Sequence, residues 1–304
     1  MRVSVITPTF NHAPFIRQCV DSVLAQTCGD WEQIIVDDCS TDRTAEIVRS
    51  YKDSRIRLVS NTTRNGLEYL QRTYNQALAM ATGDYVAILE GDDYWPPSKL
   101  ANQLPAFAHE KVVLTWGRIA HDYGGHVNED PQRGDTIPLD QFENVTQWLL
   151  VRNDIGAVTV MVRKSALDAI GGFYQTPGTV MVDYSTWLRL STVGEFRYVQ
   201  SLSGFWRQHP EQTTRVNRAN LLWSHIAICR DFLRTQGPKS ATSLQSDFCQ
   251  AAMAYYEGQV EHINGNKWRA IRLYLAAIPK IHRIDRLALF KCFVKAVLWC
   301  PLKY

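Results

Sequence analysis

The first ninety or so residues switch repeatedly between runs that suit a buried strand and runs with helical spacing, and this alternation limits the fold more than any other feature. "VSVITPTF" (3–10) is an apolar run broken by Pro8, followed by "APFIRQCVDSVLAQT" (13–27), with Phe15, Ile16, Cys19, Val20, Val23 and Leu24 on one helical face. "WEQIIVDDCSTD" (31–42) reads as a second strand, and "TDRTAEIVRSYK" as a helix capped by Thr41 or Asp42. "RIRLVSN" (55–61) reads as a third strand. "GLEYLQRTYNQALAMATG" (66–83) reads as a helix ending at Gly83, and "DYVAILEGDD" (84–93) as a fourth strand. Such an order predicts an α/β fold, a mostly parallel sheet flanked by helices, over the first ~110 residues.

Parallel sheets bind ligands at the carboxyl ends of their strands. Two acidic groups stand at such ends, Asp37-Asp38 and Glu90-Asp92-Asp93. Three carboxylates within four residues repel one another and raise each other's pKa unless a positive charge sits among them or water separates them. A dinucleotide site would place a glycine-rich GxGxxG turn after the first strand. The turn here, "TPTFNHAPF", has no glycine. A divalent cation is another way to hold a diphosphate: Mg²⁺ or Mn²⁺ takes carboxylate oxygens and bridges to phosphates. Asp92, with Glu90 or Asp93, supplies such ligands. The alternative is that the acids merely cap a strand and open the turn toward "PPSKL".

Beyond Pro105 the alternation weakens. "KVVLTWGRI" (111–119) reads as a strand, residues 121–140 as a polar loop, and "VTVMVRKSALDAIGGF" (158–173) as strand, short helix and glycine turn. "VDYSTWLRLSTVG" (182–194) reads as a helix with Asp183 in its first turn, "FRYVQSLSGFWRQHP" (196–210) as strand then loop, and the chain from Asn217 onward as helical. A net charge of +3 gives no case for nucleic acid as a partner. Seven scattered cysteines with no metal-ligand spacing fit reduced thiols in a cytosolic protein, and the start at Met1-Arg2 shows no signal peptide. Residues 282–304 combine a wide apolar face with Arg283, Arg286, Lys291, Lys295 and Lys303. They suit either peripheral contact with an anionic membrane surface or packing on the protein.

"VSVITPTFN", "IIVDDCSTDRT", "NGLEYLQRTYNQALAMATGDYVAILEGDDYW" and "VDYSTWLRL" resemble, in order, the motifs of family 2 glycosyltransferases over about residues 2–210. The resemblance implies the GT-A fold, Rossmann-like, with residues 1–110 as the nucleotide-sugar-binding half. It makes 111–216 the acceptor-binding and catalytic half, followed by a helical C-terminal extension, 217–304. It places Thr7, Pro8 and Phe10 at the nucleotide base, usually uridine, and Asp37 and Asp38 at uracil and ribose. Arg72 and Asn75 match donor-facing positions. "EGDD" stands where the family has aspartate-x-aspartate, which makes Asp92 the leading metal ligand, Asp93 a second, and Glu90 a substitute for the usual first aspartate. Asp183 matches the catalytic base, although Val182 replaces the glutamate that often precedes it. Gly171-Gly172-Phe173 matches a turn near the acceptor, and His209 lies in the late segment that often carries Arg or His near the diphosphate.

The implied function is an inverting transfer from a nucleotide-diphosphate sugar to a glycan or lipid-linked acceptor. It would depend on Mn²⁺ or Mg²⁺ and serve bacterial polysaccharide or cell-envelope synthesis, in the cytoplasm or at the inner membrane face. A binding protein of the same fold without catalysis, and a nucleotidyltransferase releasing pyrophosphate, are the alternatives.

Overall fold

The computed structural model describes residues 2–129, 144–212, 218–240, 243–277 and 294–295. The chain groups into two compact units. One comprises residues 1–138, 154–175 and 189–210, and the other residues 139–153, 176–188 and 211–304.

The elements run β1 (Val3–Thr9), α1 (Ile16–Leu24), β2 (Trp31–Asp37), α2 (Thr44–Arg49), β3 (Ile56–Ser60), α3 (Leu70–Met80), β4 (Tyr85–Ile88) and α4 (Lys99–Gln103). Then follow β5 (Val112–Asp122), β6 (Val127–Glu129), α5 (Val145–Val151), β7 (Met161–Arg163), α6 (Lys164–Ala169), α7 (Val182–Leu190) and β8 (Glu195–Arg207). Three helices close the described chain: α8 (Arg218–Ser240), α9 (Ser243–Ile263) and α10 (Lys267–Ala277).

In the first unit one sheet runs β3-β2-β1-β4-β7-β5-β6, with β8 paired to β5. The strands β3, β2, β1 and β4 are mutually parallel. Every residue of β1, β2 and β4 is buried, as helices on both faces require. From β1 the chain winds outward to β2 and β3, then returns to place β4 on the other side of β1. The strand order therefore reverses at β1, and the crevice at its carboxyl end is the expected ligand position. Past β4 the sheet turns antiparallel through β7.

The alternation seen in the sequence is present, with shifts at element ends. The N-cap of α2 is Arg43, without a side-chain cap, rather than Thr41 or Asp42, although Asp42 just before it accepts the Thr44 N–H at 2.9 Å. α3 stops at Met80 rather than Gly83, because Ala81 adopts extended backbone. Gly83 has a different role: a Cβ there would lie 2.7 Å from Arg2 O and 2.8 Å from Ser4 N, so only glycine lets this segment lie so close to β1. β4 ends at Ile88, which leaves Glu90, Asp92 and Asp93 in the loop beyond it. Within the expected polar loop, Val127–Glu129 forms β6 on the edge of β5. Residues 130–143 and nearly all of 282–304 lie outside the described residues. No described helix is long and apolar enough to cross a membrane.

In the second unit the aromatic stripe of α7 is buried. Tyr184 and Trp187 are fully covered, and the Tyr184 hydroxyl donates to Leu149 O of α5 at 2.5 Å. α10 packs Ala270, Tyr274 and Ala277 against Ala251, Ala254 and Tyr255 of α9.

Candidate active site

The loop after β4 is held from two sides. Toward β1, Leu89 N–H donates to Ile6 O at 3.1 Å and Gly91 N–H to Pro8 O at 3.1 Å, extending the strand pairing past the last regular residue. Gly91 permits this approach: a Cβ there would lie 2.7 Å from Thr9 Cβ and 2.8 Å from His12 Nδ1. Toward β8, Tyr94 and Phe205 exchange both backbone hydrogen bonds, at 3.4 and 2.9 Å, and their rings stack at 4.5 Å. Trp95 Nε1 donates to Val158 O at 2.7 Å and closes the loop.

These restraints gather the three acids: one carboxylate oxygen from each of Glu90, Asp92 and Asp93 lies within 4.8 Å of the others. Each is held differently. Glu90 accepts a short hydrogen bond from the Tyr74 hydroxyl of α3. Asp92 Oδ2 accepts from His209 Nε2 at 3.1 Å and lies 3.9 Å from His12 Nε2. Asp93 is 2% exposed and accepts the Arg207 backbone N–H at 2.8 Å. Burial raises the Asp92 carboxyl, but the charge of His12 and the hydrogen bond and charge of His209 outweigh it, so it titrates below the ordinary range. Asp93 goes the other way: burial, then the charges of Asp92 and Glu90, push it well above its usual value despite Arg207. Two tightly held carboxylates and one that resists ionisation make an oxygen-rich set that fits a hard divalent cation.

Arg207 ties the group together. Its guanidinium donates to Asp92 O and Gln18 Oε1, lies 3.9 Å from Asp122 Oδ2, and covers the Phe15 and Tyr94 rings at 4.8 and 5.0 Å. Phe15 also lies against the His209 ring, at 4.8 Å. Arg207 and His12 are the residues that sequence reasoning passed over. The stretch "FRYVQSLSGFWRQHP" contains Arg207 as well as His209, but the family resemblance points only to His209. His12 lies in the glycine-free turn after β1, where its position at the sheet's reversal was the available signal.

The turns beside the cluster are interlocked. Asn11 and Cys39 take left-handed backbone, φ 55° and 69°. Asn11 N–H donates to Ser40 Oγ at 2.8 Å, and Asn11 Oδ1 accepts the Thr41 N–H at 2.8 Å. Asp37 Oδ1 accepts the Ser40 N–H at 3.2 Å. Asp38 receives three N–H groups: Asn61 Nδ2 at 3.0 Å, Asn65 N at 2.9 Å and Gly66 N at 2.8 Å. Both aspartates are buried, and they fix the walls of the turns. Thr7 and Pro8 are buried within β1, the Thr7 hydroxyl accepting from Gln33 Nε2 at 3.0 Å. Phe10 is half-buried beneath the Arg64 guanidinium, 3.6 Å from its ring centre. Arg72 is exposed on α3, over the Tyr69 ring at 4.2 Å. Asn75 uses both ends of its amide on Phe173, donating to its O and accepting its N–H, each at 2.8 Å. It therefore braces the glycine turn.

Asp183 belongs to the second unit, in the first turn of α7. Burial pushes its carboxyl up to about 6, although backbone N–H groups of Tyr184 and of Asp183 itself and the Asn153 side chain donate to it. A carboxylate poised there can take a proton near neutral pH.

The sequence model described as glycosyl transferase family 2 matches residues 4–171. The chain is 37% identical over 204 residues to TuaG of Bacillus subtilis, named as a teichuronic acid biosynthesis glycosyltransferase, covering 64% of this chain and 74% of TuaG. It is 29% identical over 189 residues to WfgD of Escherichia coli, a UDP-Glc:alpha-D-GlcNAc-diphosphoundecaprenol beta-1,3-glucosyltransferase, covering 62% and 69% of the two chains. The crystal structure of S. aureus TarS residues 1–349 in complex with UDP-GlcNAc matches with a TM-score of 0.69 at 17% identity, over 98% of this chain and 88% of that one, which is a likeness of fold. By its matched sequence and its GT-A architecture, the chain belongs to glycosyl transferase family 2.

Proposed function

We propose that this glycosyltransferase moves a sugar from a uridine-diphosphate donor to a hydroxyl of a lipid-linked glycan, with inversion, in bacterial cell-envelope polysaccharide synthesis. The carboxylate trio beside the end of β1 carries the reading, because it sits where a doubly wound sheet takes its ligand. The UDP-sugars named for WfgD and TarS support the donor class, and the diphosphoundecaprenol in the WfgD name supports the acceptor class.

The residues then have separable tasks. Asp37, Asp38 and the Asn11 and Cys39 turns bound the nucleoside end, with Thr7 and Pro8 beneath and Phe10 and Arg64 at its rim. Arg72 faces the donor, and Asn75 supports it through the glycine turn. Asp92, Asp93 and Glu90 would hold a divalent cation, Mn²⁺ or Mg²⁺, and the chemistry it would supply there is neutralisation of diphosphate charge. His209 and Arg207 keep Asp92 oriented. Asp183 accepts the proton of the acceptor hydroxyl as its oxygen bonds to the anomeric carbon. The bond from that carbon to the diphosphate oxygen breaks, and its electron pair leaves with the nucleoside diphosphate.

Thermal melts with a panel of nucleotide sugars, with and without Mn²⁺, test the donor and metal together, since a bound ligand stabilises the fold by mass action. The expected result is stabilisation by one UDP-sugar only when Mn²⁺ or Mg²⁺ is present. Equal stabilisation in EDTA would remove the cation from the reading. Product analysis that finds the donor's anomeric configuration retained would remove the single displacement.

A further inference from the structure

α10 covers one face and leaves the other open. Ala270, Tyr274 and Ala277 recur at helical spacing and are fully buried. Trp268, Arg272 and Leu275 repeat the same spacing on the opposite side, with Trp268 78% and Leu275 51% exposed. Trp268 is the most exposed large apolar side chain among the described residues. Lys267 Nζ lies 5.8 Å from its ring centre, and Arg269 on the flank pairs with Glu261 at 3.1 Å.

Charge is sorted along the chain to match. From Lys267 to Tyr304 there are nine Lys or Arg and one acid, Asp285, a net of +8. The whole chain is +3, so the residues before Lys267 carry −5. A protein interface usually depletes charged residues, Lys among them, from its centre. An almost unbroken positive sign, with an indole and a leucine on the same helical face, is the pattern that an anionic lipid surface selects: the apolar side chains enter the headgroup boundary while cations attract the lipid charge. The acidic remainder is repelled by the same surface, which favours one orientation. We propose that the exposed face of α10, Trp268, Arg272 and Leu275 with Lys267 beside them, seats the enzyme on an anionic phospholipid surface, assisted by the basic sequence that follows.

The proposal does not depend on the donor or the catalytic roles, and its test reads binding alone. Full-length protein is sedimented with vesicles of phosphatidylcholine alone or mixed with phosphatidylglycerol, at low and high ionic strength. Binding is expected only with phosphatidylglycerol and is lost in salt. Trp268→Ser and Arg272→Glu, made separately, are each expected to weaken it roughly tenfold with an unchanged melting temperature. Failure of the wild type to bind phosphatidylglycerol vesicles at low salt would overturn the proposal, as would binding by both variants equal to the wild type. Release by inorganic phosphate well beyond that by chloride at matched ionic strength would mean a discrete phosphate site instead. A dimer that Trp268→Ser dissociates would assign the face to a second copy of the chain.

Discussion

Replacing Asp183 by asparagine should make the protein more stable and nearly inactive, and the stability gain should depend on pH. The Asp183 carboxyl titrates at about 6 in the fold against an ordinary 3.8 for an aspartate in water. A difference of about two units corresponds to about 3 kcal/mol that the folded state loses by holding this charge out of water. Because the folded pKa is the higher, the carboxyl's contribution to stability is complete below 3.8 and is lost as pH rises through 6. Asparagine carries no charge at any of these values. It keeps an oxygen for the backbone N–H donors but sets an amide against others, a mismatch of about 1 kcal/mol. The expected net gain at pH 8 is about 2 kcal/mol, or roughly 4–8 °C in melting temperature. At pH 5 the wild-type carboxyl is largely protonated in the fold, and about half of the 3 kcal/mol disappears.

Melting curves of both proteins at pH 8 and pH 5, with release of nucleoside diphosphate in the presence of a lipid-linked acceptor, measure the two halves. Transfer by Asp183→Asn should fall about 10²–10⁴-fold. The wild-type rate should decline as pH drops through 6. A variant less stable than wild type at pH 8, or a melting difference identical at both pH values, would refute the buried charge. Near-normal transfer would refute the base.

The cation site gives further expectations. Asp92→Ala should abolish Mn²⁺-dependent stabilisation by the donor, and isothermal titration should read the loss in cation affinity directly. Because Asp93 is held protonated above the usual carboxylate range, Mn²⁺ binding should release a proton, seen as a buffer-dependent enthalpy, and affinity should rise with pH above that range. Asp93→Asn should remove the proton release while leaving the apo fold as stable or more so. Gly83→Ala should destabilise by about 1–3 kcal/mol in denaturant melts, because its methyl would meet backbone atoms of Arg2 and Ser4 that cannot swing aside.

What the sequence disclosed follows from the range over which each cause acts. Period and polarity are local, so the strands and helices of the first unit could be read directly, as could Asp42 near the start of α2. Gly83 misled because glycine signals a helix end and a close approach with the same letter, and only the position of β1 distinguishes them. The acids of the "EGDD" loop were visible as a group. Their unequal protonation was not, because folding produces it: His12 and His209, 80 and 117 positions from Asp92, lower that carboxyl, whereas burial beside Asp92 and Glu90 raises Asp93 against Arg207, 114 positions away. Arg207 reaches that loop only because β8 pairs with β5 and its Phe205 bridges to Tyr94, and pairings between distant strands leave no periodic trace. The same reasoning explains Asn75: its α3 position marks a face, but its hydrogen bonds to Phe173 span 98 residues. A site made of local acids and distant cations should therefore fail in two ways. Changes to the acids should remove cation binding outright, whereas Arg207→Lys, which keeps the charge and loses the planar fork, should leave the cation bound but loosen the loop. Donor affinity should then fall, with a lower melting temperature even without ligand. Arg207→Lys that melts like the wild type and binds donor equally would show that backbone pairing at Tyr94 and Phe205 holds the loop by itself.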